Sequence, residues 1–179
     1  GVSHPKGDDT QFSSLYTTTA TVDGTWGIIT ATQTLGTSFA KGQRDLISGR
    51  YTTTSLNDVD WGILQQQDTI GESYQKGDES LIASIYTTDA TVDGTWGIIQ
   101  STQTVGTSFA KGNASLISGR YTTLSTNDAD WGILQDQQTV GVGMGLGRGD
   151  RRHPQVEFHE VIKSDFVFQG HGGPCPMVT

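Results

Sequence analysis

Four tryptophans, each with an aspartate close by in the sequence, are the residues of this chain best suited to bind a ligand. The pairs are Asp23 with Trp26, Asp60 with Trp61, Asp93 with Trp96, and Asp130 with Trp131. A sugar can stack its apolar face on an indole ring while carboxylate, amide and hydroxyl groups bond its hydroxyls. The pairs therefore predict carbohydrate binding. The opposing interpretation is that each tryptophan is a core residue.

The sequence offers fewer candidate residues for metal binding or catalysis. The Asn-Asp-x-Asp stretches at 57–60 and 127–130 offer oxygen ligands for calcium, but the same residues are favoured turn formers. Glu157 and His159 would share one strand face as metal ligands. The four histidines, none of which belongs to the repeat described below, are His4, His153, His159 and His171. Acidic residues recur instead of forming one unlike pair, as acid–base catalysis requires. We expect no enzyme activity, no metal and no cofactor.

An internal repeat organises the chain. The tryptophans are spaced by 35 residues, and each unit opens with Tyr-Thr-Thr and contains Trp-Gly-Ile. The units are 16–50, 51–85, 86–120 and 121–155. The first and third share Thr-Val-Asp-Gly-Thr-Trp-Gly-Ile-Ile, and the second and fourth share Asn-Asp-x-Asp-Trp-Gly-Ile-Leu-Gln. The pattern is ABAB, which is typical of a repeat architecture.

The repeat also predicts the domain organisation. We expect one β domain over residues 1–168, with a half-unit at 1–15 and an extra strand at about 156–168. The Gly- and Pro-rich segment 169–179 is expected to be a flexible tail. The N-terminal half-unit matches the half that the fourth unit lacks. This complementarity predicts a closed arrangement, because an open solenoid would need capping units.

Each unit is predicted to form two strands, at Gly24–Phe39 and Asp45–Thr54 in the first unit, because β-branched and aromatic residues are frequent and helical periodicity is absent. Alternation places Trp26, Thr32, Thr34 and Ser38 on one strand face and residues such as Leu35 on the other. The fold class is therefore all-β, and a closed antiparallel β-barrel of eight or nine strands is preferred. A four-fold propeller-like toroid is the alternative.

Composition excludes several classes of function. The net charge of −8 and pI of about 4.7 disfavour nucleic-acid binding, which needs clustered basic residues. No run of apolar residues reaches the length of a membrane span. The chain begins at Gly1 and has one cysteine, Cys175, which leaves no intrachain disulfide. A start at glycine instead of methionine fits either a processed secreted protein or an artificial start and does not distinguish them. We expect a secreted, extracellular location.

A surface repeated four times favours multivalent binding, because weak sites in fixed geometry gain avidity. We therefore predict a non-catalytic, lectin-like protein whose partners are glycans. One alternative is a β-barrel carrier that holds a small ligand or pigment in its lumen. The other is a self-assembling extracellular structural protein, a homo-oligomer whose Thr- and Gln-rich strands stack between subunits and which Cys175 could cross-link.

Overall fold

The computed structural model describes residues 1–5 and 10–144, and the backbone of a final strand at 157–165. These residues form one antiparallel sheet of ten strands, which follow each other in chain order. The strands are β1 Val2–Ser3, β2 Ser14–Val22, β3 Ile29–Phe39, β4 Ile47–Asn57, β5 Leu64–Tyr74, β6 Ile82–Val92, β7 Ile99–Phe109, β8 Ile117–Asn127, β9 Leu134–Met144 and β10 Glu157–Asp165. The prediction of an all-β antiparallel fold is confirmed.

The sheet is open. Each strand pairs only with its neighbours in sequence, and β1 and β10 form the two edges. Among its described residues, the N-terminal half-unit forms the two-residue strand β1 and the first two residues of β2, and β1 pairs with β2 and not with β9. The closed barrel is therefore not confirmed. One continuous sheet also lacks the separate blades of the toroid alternative.

The turns at one end of the strands carry the tryptophans. In the first, the Asp23 N–H donates to Ile28 O and the Gly27 N–H donates to Asp23 O, which closes a tight loop over 23–28. Strand β3 consequently begins at Ile29 and not at Gly24, so the prediction that Trp26 lies on a strand face was wrong. The predicted alternation holds from Ala31 to Ser38, where Thr32 pairs with Ala20 and Thr34 pairs with Thr18, and the register shifts at both ends of this segment.

The turns at the other end of the strands are built on Lys-Gly pairs. Lys41 has φ 53° and Gly42 has φ 70°, and the same left-handed pair recurs at Lys76-Gly77 and Lys111-Gly112. A second consecutive left-handed residue is best tolerated as glycine. The prediction of turns at these three pairs is confirmed, and they reverse the chain between β3 and β4, β5 and β6, and β7 and β8.

One face of the sheet, here called the tyrosine face, is made of small polar residues and tyrosines. The rings of Tyr51, Tyr86 and Tyr121 each cover the glycine opposite on the preceding strand. Beside this row runs a row of threonines: Thr18, Thr34, Thr53, Thr69, Thr88, Thr104, Thr123 and Thr139. Their hydroxyls bond in pairs at 2.8–2.9 Å within each Trp-bearing hairpin. Cross-strand pairs of this kind stabilise a sheet locally.

The other face, here called the aliphatic face, carries a row in which threonine and aliphatic residues alternate from strand to strand. The row reads Thr17, Leu35, Thr52, Ile70, Thr87, Val105, Thr122 and Val140. The four aliphatic side chains are 38–60% exposed. Among the described residues no hydrophobic side chain is buried. The sheet is therefore a single layer whose stability comes from its ladders and cross-strand pairs.

Candidate functional site

The four tryptophans lie together in the turns at one end of the strands. This row of turns is here called the Trp edge. It consists of the turns between β2 and β3, β4 and β5, β6 and β7, and β8 and β9. Trp26, Trp61, Trp96 and Trp131 are 76–82% exposed. The interpretation of these residues as core side chains was therefore wrong. Because successive turns are two strands apart, neighbouring tryptophans are separated by roughly 9.5 Å along the sheet.

An aspartate carboxylate holds each turn from within. Asp23 Oδ1 accepts the Thr25 N–H at 2.8 Å and the Trp26 N–H at 2.6 Å. The Trp26 N–H is the main reason that the pKa of Asp23 lies below its ordinary value. In the third turn, Asp93 Oδ1 accepts the Thr95 N–H at 2.7 Å. Asp23 and Asp93 thus use a carboxylate oxygen to shape the turn that presents the tryptophan.

The second and fourth turns use a different aspartate from the one that the sequence suggested. Asp58 Oδ1 accepts the N–H groups of Asp60 and Trp61, and Asp128 Oδ1 does the same for Asp130 and Trp131. Asp58 and Asp128 are therefore the equivalents of Asp23, from which they lie 35 and 105 residues away. The 35-residue spacing of the repeat is the sequence signal that identifies Asp58 and Asp128 as the equivalents of Asp23.

Asp60 and Asp130 occupy the positions that Thr25 and Thr95 have in the other two turns. Both side chains are exposed, and no hydrogen bond or ion pair among the described residues engages either carboxylate. The Trp edge thus alternates between two kinds of turn. In one kind threonine precedes the tryptophan, and in the other a free carboxylate does.

The remaining residues of Trp-Gly-Ile stack the turns on each other. Gly62 has φ 71°, and a Cβ at this position would lie 3.2 Å from Ile28 Cγ2 of the preceding turn. Gly97 approaches Ile63 and Gly132 approaches Ile98 at the same distance. A side chain at these glycines would have to adopt a left-handed conformation and push the isoleucine away. The glycine and the isoleucine are therefore explained by packing between turns.

Hydrogen bonds between neighbouring hairpins fix the edge further, through residues that the sequence reasoning missed. Asn57 Nδ2 donates to Ile29 O at 3.0 Å, and Asn127 Nδ2 donates to Ile99 O at 2.9 Å. Gln65 Nε2 donates to Gly94 O at 3.0 Å, which ties the second turn to the third. The shared Asn of units two and four was visible in the sequence, but its partner 28 residues earlier was not.

The tryptophan is the one residue of the motif whose side chain the turn does not use. The aspartate accepts backbone N–H groups, the glycine takes a left-handed conformation and the isoleucine packs on the next turn. Trp26 contributes only its backbone N–H to this arrangement, and its indole ring projects into solvent. Four indoles at fixed spacing can bind flat, partly apolar ligands without any rearrangement of the sheet.

The described residues offer little for other kinds of chemistry. None of their His, Cys, Asp and Glu side chains form a group of three or more that could hold a metal ion. The side chains of Glu157 and His159, as well as His153, His171 and Cys175, lie outside the described part of the chain. Within the described part of the chain, no helix has the length and apolar character needed to cross a membrane.

The fold and this edge define a class: a single-layer antiparallel sheet that displays repeated aromatic turns. No protein-family model, curated protein or solved structure matches the chain.

Proposed function

We propose that the chain is a non-catalytic, multivalent carbohydrate-binding protein whose sites are the turns of the Trp edge. The observation that carries this proposal is the 76–82% exposure of all four tryptophans in turns that do not need the indole ring. An exposed indole costs solubility, and large exposed apolar groups in a row usually mark a binding surface. Sugars fit such a surface because one ring face is apolar while its rim carries hydroxyls.

The spacing of the sites favours a ligand with several sugar units. Each tryptophan is held on a rigid hairpin, so the four sites keep their separation when a ligand binds. A flexible or branched glycan that reaches two sites gains avidity by making the second contact intramolecular. Single sites are then expected to be weak, and the intact edge is expected to bind polyvalent ligands far more strongly than a single sugar.

The two kinds of turn give the sites different polar partners. Beside Trp61 and Trp131, the free carboxylates of Asp60 and Asp130 accept hydrogen bonds from sugar hydroxyls. Beside Trp26 and Trp96 the hydroxyls of Thr25 and Thr95 can both donate and accept. The carboxylates of Asp23 and Asp93, which we expected to contact sugar directly, act in this proposal through the shape of the turn.

A glycan array probed with the labelled chain tests the proposal. Three variants accompany it: Trp26→Ala with Trp96→Ala, Trp61→Ala with Trp131→Ala, and Val59→Ala. Val59 is a 65% exposed apolar residue in the same turn as Trp61, so its variant is matched in place and exposure. We expect binding to a defined sugar class that each Trp double variant weakens by about tenfold or more, whereas the Val59 variant binds normally.

Because the indoles are exposed, the Trp variants should keep the far-ultraviolet circular dichroism of the parent chain. Failure of the parent chain to bind any glycan would refute the proposal. Binding that survives both Trp double variants would place the site elsewhere. An extracellular location belongs to the same proposal, since glycan ligands of this kind are displayed on cell surfaces and in the matrix.

The two other functions predicted from the sequence have different structural needs. A carrier needs an enclosed lumen, and the described strands form an open sheet. Self-assembly needs surfaces other than the Trp edge, and the faces of the sheet are such surfaces. Carbohydrate binding and self-association are therefore compatible.

A further inference from the structure

The aliphatic face carries a long row of exposed aliphatic side chains, and it also carries charged residues, among them Asp68 and Asp89. Leu35, Ile70, Val105 and Val140 form one row across it, and Leu15, Ile85, Leu56 and Leu124 add further exposed aliphatic side chains to the same face. Ile70, Ile85 and Val105 line an open groove of about 280 Å³ near its centre. Contiguous exposed patches beyond a few hundred Å² mark interaction sites.

The absence of buried hydrophobic side chains from the described residues also indicates that the aliphatic face is an interaction site. A chain of about 150 residues normally buries roughly two thirds of the surface that its unfolded form exposes. A single layer cannot do so, because a sheet needs a second layer against its apolar face. We propose that a second copy of this chain supplies that layer, and that two copies pack through their aliphatic faces.

The area available is sufficient for a stable dimer. Eight strands at about 4.8 Å, each of about 11 residues at 3.3 Å, give a face of roughly 1,400 Å² per copy. A typical stable interface buries about 800 Å² per partner, so even partial overlap meets the requirement. Two sheets that pack in this way lie about 10 Å apart, with their side chains interdigitated.

The pattern of the face is self-complementary about one particular two-fold axis. An axis parallel to the strands and midway between β6 and β7 exchanges β5 with β8 and β6 with β7. It places Ile70 over Thr122 of the second copy and Val105 over Thr87, because these residues share one row. Ile70 and Val105 then each face a threonine, so that aliphatic residues alternate with threonines across the interface.

The same axis brings opposite charges together. Glu72 on β5 and Arg120 on β8 lie in one row, three strands apart, so each faces the other in the second copy. Arg120 is exposed and makes no ion pair among the described residues, whereas Arg50 is bound within its own chain to Glu79 at 2.9 Å. Complementary charges of this kind specify the arrangement of an interface.

A two-fold axis along the strands preserves their direction, so both Trp edges lie at the same end of the dimer. Eight indoles would then form two parallel rows. The dimer does not depend on carbohydrate binding, since it uses a different surface. If both proposals hold, dimerisation doubles the valency of the Trp edge.

Sedimentation of the full chain over two orders of magnitude in concentration tests the dimer. We expect a concentration-dependent monomer–dimer equilibrium in the parent chain. Replacing Ile70 and Val105 by threonine converts the row to threonine, keeps β-propensity high and should weaken dimerisation by at least about tenfold. Val59→Thr, at an exposed position in the Trp edge turns, is the matched control and should leave dimerisation unchanged.

A charge exchange tests the axis. Arg120→Glu sets two carboxylates against each other and should weaken dimerisation by about tenfold, and Glu72→Arg in the same chain should restore it. A parent chain that is monomeric throughout, or a dimer that Ile70→Thr with Val105→Thr leaves unchanged, would overturn the proposal. Failure of the second charge change to restore dimerisation would overturn the two-fold arrangement. Circular dichroism of each variant shows whether the sheet is intact.

Discussion

Replacing Gly71 by alanine tests whether the tyrosine rings on the tyrosine face stabilise the sheet through the glycines beneath them. A Cβ at Gly71 would fall within the ring of Tyr86, so the ring must move away. Gly71 is buried, and the Tyr86 hydroxyl has a pKa above its ordinary value mainly because the ring is partly buried. The substitution therefore exposes both the ring and the backbone that it covers.

The magnitude follows from two opposing effects. Uncovering roughly 80 Å² of apolar surface costs about 2 kcal/mol at 25 cal/mol per Å². Alanine is more favourable than glycine in a strand interior by about 0.5–1 kcal/mol. We therefore expect Gly71→Ala to lower the free energy of unfolding by about 1–1.5 kcal/mol, measured by urea denaturation followed by circular dichroism.

Gly141 is a matched control, because it lies in the same row of the sheet and no tyrosine ring among the described side chains covers it. A Cβ at Gly141 would lie 3.6 Å from Arg120 O and 3.7 Å from Tyr121 Cβ, which are ordinary contacts. Gly141→Ala should therefore raise the free energy of unfolding by about 0.5–1 kcal/mol. In a Tyr86→Ala background, Gly71→Ala should also become stabilising. If the Gly71 and Gly141 variants shift the urea midpoint alike, the reasoning about the rings is wrong.

Two further predictions concern the turns of the Trp edge. Asp58→Ala removes the acceptor of two N–H groups and should cost about 1–2 kcal/mol in urea denaturation, whereas Asp60→Ala should change stability by less than about 0.5 kcal/mol; equal effects would contradict the assignment of Asp58 as the turn residue. The pKa of Asp23 lies below its ordinary value of 3.8, so its contribution to the turn is present above this pH and is lost as the pH falls through the lowered pKa. The amide resonances of Thr25 and Trp26 should report that loss in an acid titration, and Asp23→Asn, which keeps the acceptor oxygen but cannot titrate, should abolish it.

Part of the fold could be predicted from the sequence because the signal repeats. The strand faces at Thr32 and Leu35, and the turns at Lys41-Gly42, follow from alternation and from the left-handed conformation of glycine, which are local properties. The start of β3 could not be predicted in this way. The segment 24–28 has the β-branched and aromatic residues of a strand, but it forms a turn that is closed by the hydrogen bond from Asp23 N–H to Ile28 O and by the bonds that the Asp23 carboxylate accepts.

The candidate site, like the fold, could be predicted only in part from the sequence. The sequence identified the four tryptophans, but it paired Trp61 with Asp60, the neighbouring carboxylate, when the turn is held by Asp58. Which carboxylate oxygen reaches a backbone N–H depends on the dihedral angles of the turn, and adjacency in sequence does not determine them. The contact between Gly62 and Ile28 was equally hidden, because it joins residues 34 positions apart in the chain.

The sequence by itself determined the class of structure, the 35-residue interval between its tryptophans and its net negative charge, since composition and periodicity depend on residue types alone. Only the tertiary structure decided that the sheet is open, that the indoles project into solvent and that one face is left aliphatic and uncovered. The physical reason is that closure and burial depend on which strands meet across space. A repeat that can pair equally well with its neighbour in the chain or with a distant copy does not specify that choice in its local pattern.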